Sequence, residues 1–131
     1  MSTIACPIAL HPDGATRRLA VYQTTQGSKH LVKTTAASSN ESTRAAAQTL
    51  YSTSALETRA ALPIGTSADV NPDEIWHFAL CRIVPPIREQ WKHICPDTSA
   101  LLQFSWMPLD ATFDEFSGAD TRALNWIKAN L

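Results

Sequence analysis

Lys33 and Arg44 flank a run of small and polar residues, Thr34 to Thr43, and that combination is the raw material of an anion site. Ser39, Asn40 and Ser42 are good helix caps, because their side chains accept from the free backbone N–H groups of a first helical turn. Two cations beside such N–H groups attract a phosphate or another oxyanion. The plainer account is a pair of solvated surface cations. Trp91, flanked by Gln90, Lys92 and His93, is the other candidate ligand contact. An indole in polar company can stack on a base or cover a cleft, or it can lie half-buried on a sheet edge.

Metal chemistry needs carboxylates, and along the same stretch they are missing. No acidic residue stands between Asp13 and Glu41, and none between Glu41 and Glu57. If Glu41 opens a helix, Glu57 lies about 24 Å further along at 1.5 Å per residue, too far to share an ion. Glu41 then reads as a first-turn carboxylate favourable to the helix dipole. His77 with Cys81 and His93 with Cys95 have the residue types of a zinc site, but on a strand the first pair is about 13 Å apart. A Cys95–His93 nucleophile rests on chain proximity alone, against the reading of a buried, inert thiol. No G-x-S-x-G, P-loop or G-x-G-x-x-G occurs, which sets those enzyme classes aside.

The elements that must position these residues alternate between strand and helix patterns. Ile4 to Leu10 predicts a first strand, closed by the turn His11-Pro12-Asp13-Gly14. Leu19 to Tyr22 and Lys29 to Lys33 predict two more around Gln26-Gly27. A helix is expected from about Glu41 to Ser54, with Ala46, Ala47 and Leu50 on one face. Its Thr49, Ser52, Thr53 and Ser54 together cost about 2 kcal/mol of intrinsic propensity, which packing must recover. Leu62 to Gly65, Ile75 to Ile83 and Leu101 to Leu109 predict strands, with Pro85-Pro86 ending the second of them. Gly118 to Leu131 carries Ala119, Ala123, Trp126, Ile127 and Leu131 at helical spacing.

A chain of 131 residues with 44% apolar and 18% charged content fits one domain with a real core. Its net charge of −1 hides an asymmetry, six basic and three acidic residues through Arg59 against five and nine beyond it. Neither part carries the dense Lys/Arg footprint of a nucleic-acid binder. Three cysteines, Cys6, Cys81 and Cys95, without C-x-x-C spacing argue for a reducing compartment. No secretory signal is visible, and Ile75 to Ile87 is interrupted by His77, Arg82, Pro85 and Pro86, so a membrane span is not expected. The expected location is the cytoplasm.

From Leu31 to Leu56 the chain resembles, without a gap, a strand ending in L-P-K-G followed by a Nudix box. That box is the signature of the Nudix hydrolase family, G-x5-E-x7-R-E-U-x-E-E-x-G-U with U apolar. Lys33 falls on the lysine, and Leu50 and Leu56 keep the apolar positions. The glycines become Thr34 and Ala55, and the first glutamate becomes Asn40. The arginine and its glutamate become Gln48 and Thr49, and the metal-binding glutamate pair becomes Ser52 and Thr53. Phe104-Ser105-Trp106-Met107-Pro108-Leu109 is similar to the F-x-W-x-P-L strand before the last helix in many Nudix proteins. The resemblance covers roughly residues 4 to 131.

The resemblance implies one α/β Nudix-fold domain over residues 1–131, a mixed β-sheet sandwiched between α-helices. Nudix enzymes hydrolyse a nucleoside diphosphate linked to another group, using divalent metal held by carboxylates on the box helix. Hydroxyls at Ser52 and Thr53 do not replace that charge, and without metal the glutamates they replace would repel one another. The expected protein is therefore noncatalytic and needs no cofactor. It binds a nucleotide-like or other phosphorylated small molecule through Lys33, Arg44 and Trp91, or serves as an interaction module, with a homodimer compatible with either. The alternative is an atypical hydrolase of nucleoside diphosphate-linked pyrophosphates. It would use Mg or Mn and carboxylates drawn from Glu89, Asp97, Asp110, Asp114, Glu115 and Asp120. A third reading is an unrelated α/β domain with an accidental match.

Overall fold

The computed structural model describes residues 1–14, 17–111 and 115–131. Two four-stranded sheets carry the fold. The first contains β1 (Ser2–Ala9), β4 (Thr34–Ala36), β5 (Thr58–Ser67) and β6 (Glu74–Ile83), in the order β4-β1-β6-β5. β1 and β6 run parallel, while β4 and β5 pair antiparallel on their outer sides, so this sheet is mixed. The second contains β2 (Arg18–Gln23), β3 (Lys29–His30), β7 (Gln90–Ile94) and β8 (Leu101–Pro108), in the order β3-β2-β8-β7 and antiparallel throughout. The expected single mixed sheet is thus divided in two, with α1 (Ser42–Ser54) and α2 (Gly118–Asn130) packed against them.

Each helix seals its own core. On α2, Ala123, Leu124 and Ile127 are fully buried against Ile4, Cys6, Ile8, Trp76 and Phe78 of the mixed sheet and Leu19, Val21 and Met107 of the other. Gly65 lets β5 approach this layer, since a Cβ there would meet the Trp126 ring at 2.7 Å. α1 buries Ser42, Ala46, Leu50 and Ser54, one residue per turn along a single stripe. Leu50 and Leu56 join Val32, Phe104 and Trp106, while Ala46 meets Ala5, Ala36 and Ala79. Small residues on both sides of that last contact bring the helix close to the sheet. Burying Leu50 contributes about 2 kcal/mol, which offsets the propensity cost of the Ser/Thr-rich second half.

Several elements differ from expectation, among them β4, which lies between the expected third strand and the box helix and is not among the expected strands. The third strand, expected over Lys29 to Lys33, stops at His30. Leu31 packs into the α2 core and Val32 into the α1 core, and the Leu31 N–H donates to the Asp120 carboxylate at 3.3 Å. The strand expected over Leu62 to Gly65 runs from Thr58 to Ser67, with register shifts between Thr58 and Ala60 and between Pro63 and Gly65. It borders the sheet, where a proline removes no internal ladder bond. β7 is not among the expected strands, because only Trp91 and His93 of its five residues turn inward, but it puts Trp91 half-buried on a sheet edge, the plainer of its two readings.

Candidate functional site

The box region forms a strand, a turn and a helix in that order. Thr34 opens β4 and pairs with Ala5 of β1. Asn40 is exposed in a 3-10 turn, Ser39–Glu41, that leads into α1. Arg44 is exposed on the first turn of the helix, and Gln48 is exposed one turn later. Gln48 lines a shallow recess with Tyr51, Glu57 and Thr58. Thr49 and Ser52 are half-buried, and the Ser52 hydroxyl folds back to donate to the Thr49 carbonyl at 3.3 Å. The box ends at Ala55, whose φ of 65° is the left-handed conformation that a glycine adopts without cost, and its N–H donates to Tyr51 O at 2.8 Å.

Side chains from β7 close the C-terminal end of this helix. Trp91 Nε1 donates to the Ser54 carbonyl at 2.7 Å. His93 Nδ1 lies 3.1 Å from the Thr53 carbonyl. A carbonyl only accepts, so His93 carries its proton on Nδ1. Terminal helix carbonyls lack partners within the helix, and these two side chains supply them. The position that the resemblance assigns to a metal-binding glutamate is thus part of a helix-to-strand clasp.

Lys33 is not a free cation. Its ammonium lies 2.7 Å from Asp120 Oδ1, on a carboxylate that is 0% exposed in the first turn of α2. Asp120 Oδ2 accepts from Leu31 N at 3.3 Å and faces His30 Nδ1 at 3.7 Å. Burial outweighs the nearby carboxylate and holds the His30 ring below the ordinary histidine pKa. Lys33 and Thr34 also line a cavity of about 290 Å³ with Asn71, Glu74 and Trp76. Glu74 is committed there, accepting from Asn71 Nδ2 at 3.1 Å and Trp76 Nε1 at 3.0 Å through one oxygen.

Trp91 occupies a different place. Its ring stacks on Phe104, centroids 5.2 Å apart and planes 10° apart, and tilts against Trp106. It borders an open recess of about 520 Å³ on one side and a groove of about 280 Å³ with Leu56, Pro86 and Arg88 on the other. The candidate residues are therefore shared among separate surfaces rather than gathered in one cleft. Asp120 and the clasping role of His93 carry no signal in the sequence beyond an acidic residue in a first turn and a histidine beside a tryptophan.

A Mg²⁺ or Mn²⁺ ion does not fit what the box helix offers. Its candidates are half-buried hydroxyls and exposed amides, and hard divalent cations need carboxylate oxygens. Among the described residues, no group of three or more His, Cys, Asp and Glu side chains is placed to hold an ion. Of the late carboxylates, Glu89 binds Arg18 at 2.9 Å, Glu115 binds Lys29 at 2.6 Å and Asp120 is committed to Lys33. Asp114 lies outside the described residues. Cys6 and Cys81 are buried, and desolvation pushes their thiols up to about 12 and about 11, so neither supplies a thiolate. Among the described residues no helix is long and apolar enough to cross a membrane.

No family model matches the sequence, and no curated protein matches it either. Solved structures match in shape. An ADP-ribose pyrophosphatase from Streptococcus suis superposes with a TM-score of 0.65 at 12% identity, over 99% of this chain and 92% of that one. The NUDIX domain of Shewanella oneidensis NrtR, solved in complex with ADP ribose, gives 0.66 at 8% identity, over 97% of this chain and 86% of that one. The chain has the Nudix fold, as the gapless box spacing and the late strand imply. Identities this low establish architecture, and chemistry has to be argued from the site.

Proposed function

We propose that this Nudix-fold domain binds a nucleotide-like ligand without hydrolysing it. The observation that carries the reading is the neutral box helix. Gln48, Thr49, Ser52 and Thr53 stand where the family pattern has one arginine and three glutamates, and the Ser52 hydroxyl is turned back onto its own helix. Binding and hydrolysis make different demands. A phosphorylated ligand can be held by cations, backbone N–H groups and an aromatic ring, whereas pyrophosphate hydrolysis of the family type needs a metal held by carboxylates. Arg44 with the start of α1 is the proposed phosphate contact, and the half-buried Trp91, on a separate surface at the far end of that helix, is the proposed contact for a base; Lys33 contributes only the charge that Asp120 leaves uncompensated. The complex of the NrtR domain with ADP ribose supports the ligand class.

The test is titration calorimetry with ADP-ribose and with Mg²⁺ and Mn²⁺, with hydrolysis assayed in the same samples. The expected result is ADP-ribose binding that is indifferent to chelator, with no turnover. The competing reading, an atypical hydrolase using Asp97, Asp110 or Asp114, is favoured by the match in shape to a pyrophosphatase. It requires metal-dependent turnover that chelator abolishes, and that result would overturn the proposal.

A further inference from the structure

The second sheet has two unlike faces. His30, Tyr22, Phe104 and Trp91 are successive cross-strand partners, and their rings form a continuous ladder with centroid separations of 5.3, 5.6 and 5.2 Å. Trp106 and His11 extend it. This face belongs to the core that contains Leu50 and Leu56 of the box. One residue out of phase, the row Lys29, Gln23, Gln103, Lys92 crosses the same four strands on the opposite face, with Ser105 and Gln90 paired beside it. Side chains alternate between faces along a strand, so the sheet itself separates this row from the box helix.

All six residues line the recess of about 520 Å³, a volume suited to a small molecule, and Trp91 of β7 and Phe104 of β8 border it as well. α2 covers the neighbouring part of the face, over Leu19, Val21 and Met107, and leaves this part open. Among the described residues, Gln90, Lys92, Gln103 and Ser105 have no side-chain hydrogen-bond or ion-pair partner. Gln23 is tied to the Gly27 carbonyl at 3.1 Å, and Lys29 to Glu115 at 2.6 Å. The row is therefore polarised. Its Lys92 end presents an uncompensated cation, its middle presents amides, and its far end, about 14 Å away at the ordinary spacing of strands, presents a neutralised pair. The stacked rings beneath hold the strands in register and so fix the spacing at which the row's side chains leave the sheet.

We infer that this face is a second ligand site, for a small elongated molecule, lined by no residue of the box loop or helix and sharing only the border residue Trp91 with the contacts proposed above. Its oxyanion sits at Lys92, and its amide or hydroxyl groups lie along Gln103 and Gln23. Phosphate and carboxylate share that head-group chemistry, and the test separates them. Inorganic phosphate and citrate are titrated separately into the intact protein, with the glutamine side-chain amides and the Trp91 indole N–H followed by NMR. The side-chain amides of Gln90 and Gln103 shift with saturation for at least one probe, and the probe that saturates names the head group. Lys92→Gln then weakens its apparent affinity about fivefold, the scale of one exposed charge contact. Gln103→Glu, which places a carboxylate in the row, abolishes binding. Arg59→Gln, an exposed cation on β5, leaves it unchanged. These positions are exposed, so the variants fold, which the unchanged backbone spectrum verifies. Absence of saturable shifts with both probes, or equal weakening by Lys92→Gln and Arg59→Gln, overturns the site.

Discussion

Asp120 shows how one residue changes the meaning of another. Its carboxylate is fully buried, and three groups compensate it: the Lys33 ammonium, the Leu31 N–H and, at longer range, the His30 ring. Removing the partly exposed cation leaves a buried carboxylate with only the Leu31 N–H and the more distant His30 ring, which costs more than the pair contributes when intact. Lys33→Met should therefore lower stability by about 2 kcal/mol in chemical denaturation, between the values for an exposed and a fully buried pair. The double variant Lys33→Met/Asp120→Leu should recover most of that loss, because an apolar replacement of both partners leaves nothing unpaired. A Lys33→Met variant as stable as the parent would show the ammonium to be a surface cation after all. The thiols give a pH-dependent counterpart. Cys6 ionises near 9.0 in an unfolded chain and is pushed up to about 12 by burial when folded. The folded state thus keeps its proton longer, so this contribution is intact below pH 9.0 and is lost as pH rises towards about 12. Denaturation midpoints should fall across that alkaline window, and Cys6→Ala should flatten the fall; an identical slope in both proteins would assign it to other groups.

At the scale of elements, α1 lies where the Nudix pattern places its box helix, without the residues that the pattern names. Ala55 adopts φ 65° at the position where the Nudix pattern has glycine. The left-handed conformation costs an L-residue about 1 kcal/mol relative to glycine, and the backbone accepts that cost because Leu56 must still turn into the core. Ala55→Gly should raise stability by about 1 kcal/mol, read as a higher thermal midpoint with an unchanged spectrum; a lower midpoint would mean that the alanine methyl group packs productively. The same elements show how far the sequence could be read. α1 and α2 were legible because their buried residues recur at helical spacing, as Ala46 and Leu50 do on α1, and β1, β6 and β8 because they are runs rich in apolar residues bounded by turn or proline signals. β7 was not, since Gln90, Lys92 and Ile94 face outward and Trp91 and His93 are fixed by α1 rather than by a local pattern. β5 was read too short because Pro63 and Gly65 look like terminators, whereas on a border strand they sit at a register shift. The neutrality of Gln48, Thr49, Ser52 and Thr53 is plain in the sequence, whatever role those positions have. The partner of Lys33 is not, because no local rule connects a lysine after β3 to an aspartate in α2.

The whole molecule resembles proteins with which it shares about a tenth of its residues, and its fold is held by the apolar positions rather than by the site. That separation can be tested by returning the chemistry to the scaffold. The variant Asn40→Glu/Gln48→Arg/Thr49→Glu/Ser52→Glu/Thr53→Glu restores the charged box positions without touching Ala46, Leu50 or Leu56, which make the helix's core contacts. Glutamates at 49, 52 and 53 lie within one turn, and each like-charge pair three or four residues apart costs about 0.2–0.5 kcal/mol. The metal-free variant should therefore melt below the parent. Magnesium or manganese should raise its midpoint by linkage, in proportion to the logarithm of metal concentration above the dissociation constant, and leave the parent unmoved. Gain of metal-dependent stability would show that the backbone still presents these positions as a Nudix site and that charge alone was missing. Failure to gain it, in a variant whose spectrum remains folded, would place the loss in the loop geometry around Thr34 and the 3-10 turn, and the scaffold would then have departed from the family together with its chemistry.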